Sequence, residues 1–188
     1  IAGYIGTHGM AHHLETLIEA ARILKRKKEK NVIIMFLGDG ACKQALQDNV
    51  KKDGLDNVLF IPSVSKEDVM RYWSLLNVSI IHLKNSSVFK SVIPSKLFES
   101  MGMGIPVIHG VCGESAEIVE HYEVGLFFKP ENAEELSNNI LRLKNEKKLI
   151  EFYKNNTLQA AKKYDRLIKA REMLNILIHL AKNDYGKY

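Results

Sequence analysis

Val32-Ile33-Ile34-Met35-Phe36-Leu37-Gly38-Asp39-Gly40 sets the fold class of this 188-residue chain. Six apolar residues in a row leave no polar face for water, so Val32 to Leu37 reads as a strand buried on both sides of a parallel sheet. Gly38-Asp39-Gly40 then turns into a helix from about Ala41 to Lys51. The same unit recurs on either side. Upstream, Ala2 to Gly6 is strand-like, and His12 to Lys27 carries Leu14, Leu17, Ile18, Ala21 and Leu24 at helical spacing. Its last turn, Lys25 to Lys28, is basic, which suits the negative end of a helix dipole.

Downstream, strands are expected at Asn57 to Ile61, Val78 to Leu83, Pro106 to His109 and Gly125 to Phe128. Helices are expected at Lys66 to Ser74, Lys96 to Met103 and Ser115 to His121, with a polar loop from Lys84 to Pro94. From Ala133 onward the chain reads as helix in about three segments. Alternating strands and helices make βαβ units, hence an α/β fold with a Rossmann-like parallel six-stranded sheet and helices on both faces. Ligands of such sheets bind beyond the carboxyl ends of the strands.

Composition agrees with one globular domain. Hydrophobic residues are 46% and charged residues 26%, which excludes disorder and a fibre. The formal net charge of +5 is mild and suits a phosphate-bearing partner or an anionic surface. No apolar run approaches the roughly 20 residues of a spanning helix. Cys42 and Cys112 sit in unrelated contexts, as expected of core-filling cysteines in a reducing, cytosolic compartment. The chain opens inside a core strand with no signal peptide ahead of it, as a piece cut from a longer protein would.

Four segments after strands carry the chemistry. Gly6-Thr7-His8-Gly9 joins a strand to a helix, and its small residues fit either an anion cradle or a tight turn. Gly38-Asp39-Gly40 lacks the third glycine of a dinucleotide fingerprint, so a nicotinamide cofactor is poorly supported. In Pro94-Ser95-Lys96-Leu97-Phe98-Glu99, Ser95 reads as an N-cap, with Lys96 in the first turn and Glu99 on the same face. That lysine opposes the helix dipole, and Lys-then-Glu is the less favourable order. An anionic ligand would resolve the conflict, with Lys96 on phosphate and Glu99 on ligand hydroxyls; the alternative is a solvated pair. Gly113-Glu114-Ser115 again opens a helix and fits an anion-binding nest or a plain turn.

Other chemistries find little support. His8, His12 and His13 cluster without a cysteine or carboxylate at ligand spacing, so no metal site is expected. Neither a G-x-S-x-G elbow nor a P-loop is present. The lysine-rich segments lack interleaved aromatics, so nucleic acid is not an expected partner.

Taken in order, these segments resemble the C-terminal, nucleotide-sugar-binding domain of GT-B fold glycosyltransferases, in the retaining family called family 4 or group 1. Gly6 to Gly9 looks like its G-x-x-G loop, and Phe36-Leu37-Gly38-Asp39-Gly40 like its GDG segment. Asn57 to Val64 looks like its N-V-x-F-x-G-x-V segment, and Phe98 to Val107 like its E-A-M-A-x-G-x-P-V segment. Glu117-Ile118-Val119 and the later Gly125-Leu126 complete the series.

The resemblance implies that residues 1–188 are the donor domain and that an N-terminal acceptor domain lies outside this chain. Gly6, Thr7, His8, Gly9, Gly38, Ser63, Val64, Lys96 and Glu99 would bind the nucleotide and diphosphate, with Glu99 on the ribose and Lys96 on the diphosphate. Ser91, Gly113, Glu114 and Ser115 would border the donor sugar. The reaction would move a sugar from a UDP-linked donor to a glycan or lipid-linked acceptor with retention, without a metal or other cofactor, in the cytoplasm or at the cytoplasmic face of the membrane. Peripheral membrane contact of the full-length protein follows from the same resemblance.

The sequence departs from the pattern at three places, the first being that the family's common Arg and Lys after the first strand are replaced near Thr7 and His12, which leaves Lys96 as the main cationic candidate. Ser91 replaces the first glutamate of the E-x7-E motif, and Glu114 the second glycine of the G-G loop. The variant G-x-H-G, V-I-P-S-K and G-E-S-A-E segments look like the branch that transfers aminodeoxy sugars during capsule, O-antigen or lipid-linked glycan assembly. Alternatives are a nucleotide-sugar epimerase of GT-B type and a non-catalytic Rossmann-like binding module. The final helix, expected near Lys169 to Leu180, would pack on the missing domain, leaving Leu174 and Ile178 partly exposed here.

Overall fold

The structure is a computed structural model that describes residues 1–184. Six strands, β1 (Ala2–Ile5), β2 (Ile34–Leu37), β3 (Val58–Ile61), β4 (Val78–His82), β5 (Val107–Gly110) and β6 (Gly125–Phe127), form one sheet in the order β3-β2-β1-β4-β5-β6. Every neighbouring pair is parallel. The chain order reverses between β1 and β4, so the crevice of this doubly wound sheet opens above those two strands.

Period-two alternation assigns the faces. Tyr4, Ile34, Phe36, Ile80, Ile108 and Leu126 point to one side, under α1 (Glu15–Arg26) and α6 (Ala133–Asn145). On the other side, Met35 and Leu37 share a cluster with Trp73 of α3 (Lys66–Trp73). Ile81 and Val107 pack there with Leu97 and Met101 of α4 (Ser95–Gly102), Val119 of α5 (Glu114–His121) and Ala160 of α7 (Lys147–Lys163). β1, β2, β4 and β5 are buried at every position, including the polar Ser79, His82 and His109.

The elements follow the sequence reading, with local differences. The first helix begins at Glu15 rather than His12, because residues 10–12 wind into a 3-10 turn that ends at His13, whose φ of 41° cannot continue a right-handed helix. α2 (Lys43–Lys52) starts two residues later than expected. The polar loop after β4 contains a 3-10 turn at Ser87–Phe89. Ser95 is not a cap: Pro94 occupies the N-cap with extended backbone and makes no side-chain cap bond, so Ser95 is already the first helical residue.

The last helix, α8 (Arg166–Asp184), stands apart from this packing. Leu167, Met173, Leu174, Leu177, Ile178 and Leu180 are all exposed along it. Among the described residues no helix is long and apolar enough to cross a membrane.

Candidate functional site

The loops leaving β1, β2 and β3 meet at the carboxyl edge of the sheet and are stitched in strand order. The Gly6 amide donates to Leu37 O at 2.9 Å, the Gly38 amide to Ile61 O at 3.2 Å and the His8 amide to Asp39 O at 2.7 Å. Between them lies a cleft of about 310 Å³ whose walls include Gly6, Thr7, Gly38, Asp39, Ser63 and Val64. Five residues expected at a nucleotide (Gly6, Thr7, Gly38, Ser63 and Val64) thus line one space. Because the stitching uses the Gly6, His8 and Gly38 amides, the donors left for a ligand in the first loop are the amides of Thr7 and Gly9, which meet no protein acceptor among the described residues.

Lys96 reaches this loop from the first turn of α4. Its Nζ lies 5.2 Å from the centroid of the Tyr4 ring. A Cβ on Gly6 would lie 2.7 Å from that Nζ and push the lysine aside, and the φ of +145° separately favours glycine here. Among the described residues Lys96 forms no ion pair within 4.0 Å, and burial pulls its ammonium below the usual lysine range while Glu99 partly offsets this. A half-buried cation on an aromatic face, with no carboxylate within ion-pair distance among the described residues, is left able to pair with an anion. Glu99 is exposed one turn further along the same helix. The Tyr4 hydroxyl donates to Thr7 O at 2.8 Å, and burial raises its pKa well above the ordinary phenol range.

His8, expected with the nucleotide-binding residues, turns its ring into the core. It is fully buried, with ring centroids 6.0 Å from Phe36 and 6.2 Å from Phe60, and neither ring nitrogen has a hydrogen-bond partner among the described residues. Burial first, and the Lys43 charge second, push its pKa down to about 4. With its amide also spent, His8 presents no donor to the cleft. Gly9 caps the 3-10 turn beside it.

The residues expected to border the donor sugar lie in the segments that follow β4 and β5. Gly113 has φ +87°, and a side chain there would strike the carbonyl of Lys90, to which the Glu114 amide donates at 3.0 Å. That bond brings Glu114 next to the segment holding Ser91; both are exposed. The Ser115 hydroxyl is fully buried and bonded to His109 Nε2 at 2.9 Å, so it is a structural group rather than a free one.

Two residues beside the cleft, Lys43 and Lys66, were not singled out in the sequence. Lys43 Nζ donates to Gly38 O at 2.9 Å and pairs with Asp39 at 3.3 Å; its position four residues after Asp39 was the available signal. The Gly40 amide, then Lys43, hold the Asp39 carboxyl below its usual range. Lys66 closes the far wall. Among the described residues no group of three His, Cys, Asp or Glu could hold a metal ion. A second cavity, around Ile1, Asn77 and Lys147, opens at the opposite edge of the sheet and shares no residue with the glycine loops.

The family model described as Glycosyl transferases group 1 matches residues 1–163. A search of curated protein sequences gave no match. Among solved structures the fold is similar to that of an S. aureus TarM mutant in complex with UDP, fondaparinux and alpha-GlcNAc-glycerol (18% identity, TM-score 0.79, 93% of this chain and 34% of that one). It is similar to Anabaena HepE in complex with UDP (17% identity, TM-score 0.79, 95% of this chain and 48% of that one). The C-terminal domain of the group 1 protein LpcC from Francisella tularensis is also similar (21% identity, TM-score 0.72, 86% of this chain and 84% of that one). The chain therefore spans about a third of the TarM chain and about half of the HepE chain.

Proposed function

Because the chain belongs to the glycosyl transferases group 1, we propose that it is the donor-binding half of a retaining GT-B glycosyltransferase that uses a UDP-sugar. The observation that carries this reading is Lys96, a half-buried cation without a carboxylate partner, set against the glycine loop that lines the cleft. In this reading the uracil and ribose lie in the cleft between Gly38 and Ser63-Val64. The Thr7 and Gly9 amides and Lys96 take the diphosphate, and Glu99 accepts from the ribose hydroxyls. The donor sugar faces Ser91, Gly113 and Glu114. The complexes of TarM and HepE with UDP support the choice of nucleotide by fold likeness.

The charge that develops on the departing diphosphate needs a fixed cation, and Lys96 supplies one without a metal ion. The acceptor, a glycan or lipid-linked saccharide, would be held by an N-terminal half outside this chain, against which the apolar α8 would pack. The variant loop residues favour an aminodeoxy sugar and a role in surface polysaccharide assembly on the cytoplasmic side of the membrane, with peripheral membrane contact through the N-terminal half. The isolated chain would bind nucleotide weakly and turn nothing over.

The test is a thermal-shift panel on this chain with UDP, GDP, ADP and NAD. UDP alone should raise the melting temperature; stabilisation by NAD and not UDP would sink the reading. A second reading, a binding module without catalysis, draws on Ser91, which puts a hydroxyl where the motif has a carboxylate. Full-length protein that binds UDP-sugar but transfers nothing would establish it instead.

A further inference from the structure

His82 is the last residue of β4 and points to the same sheet face as Tyr4. Its imidazole is 1% exposed, yet both nitrogens are paired, with partners from two different loops. Nδ1 lies 2.8 Å from the carbonyl of His12, in the loop that follows β1. Nε2 lies 2.9 Å from the amide of Glu131, in the turn between β6 and α6. A carbonyl can only accept and an amide can only donate, so the two contacts require one neutral tautomer with the proton on Nδ1. Burial pushes the pKa down to about 4, which keeps that tautomer uncharged at neutral pH.

The surroundings are built for this ring. It stacks on Phe128 with centroids 5.5 Å apart, over Gly110, where a Cβ would lie 2.8 Å from the His82 ring. The Lys84 amide donates to Ala11 O at 2.9 Å, a second tie between β4 and the same loop. Glu131 in turn takes the Asn85 amide on its carboxylate at 2.9 Å. An apolar side chain would fill this volume without the cost of burying two polar atoms. What the imidazole adds is direction: it fixes the end of the segment whose Thr7 and Gly9 amides remain open.

We propose that His82 is a positioning residue for the donor diphosphate, holding the Gly6–His12 loop in its ligand-ready shape by the bond from Nδ1 to the His12 carbonyl. The inference rests on the donor-site reading above. It touches no part of the nucleoside, so its loss weakens recognition of the diphosphate and leaves the base and ribose alone.

The experiment is calorimetric titration of this chain with UDP and with uridine, for the unchanged protein and for His82→Leu, His82→Asn and His82→Gln. Leucine keeps the volume, asparagine keeps a donor near the Nδ1 position, and glutamine keeps an acceptor near the Nε2 position. We expect His82→Leu to weaken UDP by about tenfold, the worth of one well-placed hydrogen bond, with uridine unchanged. His82→Asn should recover most of the UDP affinity and His82→Gln should not. Imidazole nitrogen chemical shifts on the unchanged chain should report the proton on Nδ1. UDP affinity preserved in His82→Leu, an equal loss for UDP and uridine, or a proton on Nε2 would each overturn the inference and leave the donor site standing. Failure of the unchanged chain to bind UDP would instead sink the donor reading, and this inference with it.

Discussion

The Lys96 ammonium lies 5.2 Å from the centroid of the Tyr4 ring, in space that exists because Gly6 has no side chain. Residues from a strand, a loop and a helix thus meet in one arrangement. Replacing Gly6 by alanine should break it. The new Cβ would crowd the lysine at a φ of +145°, costing about 1–3 kcal/mol of stability. Denaturant midpoints measure that cost, and UDP affinity should fall in the same variant.

Tyr4→Phe separates the ring from its hydroxyl. It removes the bond to Thr7 O but keeps the face under Lys96. The expected loss is about 1 kcal/mol of stability, read by urea unfolding, with a smaller effect on UDP affinity than Tyr4→Leu, which removes both.

Acid should destabilise the fold through buried imidazoles. His8, His82 and His109 each have a pKa near 4, against 6.5 for a free histidine, with burial the largest cause. Between pH 6.5 and 4 the unfolded chain therefore binds more protons than the folded one. Their contribution is present in full above about pH 6.5 and is lost as pH falls toward 4, at about 1.4 kcal/mol per pH unit for each histidine. Urea midpoints at several values across that window check it; a flat profile would contradict the burial of these rings.

Ser115→Ala should leave His109 Nε2 without its partner in a fully buried site, where Nδ1 already lacks one. The expected cost is about 1–3 kcal/mol, and Ser115→Cys should recover little because a thiol is the weaker donor. Thermal unfolding of the three proteins measures it.

The exposed apolar residues of α8 should make this chain self-associate. Sedimentation of a variant with Leu174→Glu and Leu177→Glu should show more monomer at the same concentration, with the melting temperature of the α/β body unchanged.

The sheet was legible because short, mostly apolar blocks alternate with helical repeats, the pattern of a parallel sheet covered on both faces. Lys96 stood out in the sequence because it opposes its own helix dipole, a local conflict that an outside anion would resolve. Boundaries were less so: the left-handed turn at His13 and the cap at Pro94 depend on tertiary packing that sequence pattern does not carry. His8 looked like a loop residue and proved to be core, since a glycine loop gives no hint of which side its one large side chain faces. Tyr4, Lys43 and His82 were missed for the same reason: their roles arise from contacts between separate loops.

Titration of UDP into this chain and into Lys96→Ala, under identical conditions, tests the central claim most directly. The account predicts that UDP binds the unchanged chain and that Lys96→Ala weakens it by about tenfold or more, as loss of a charge-assisted contact to phosphate should. UDP binding that survives undiminished in Lys96→Ala would contradict it.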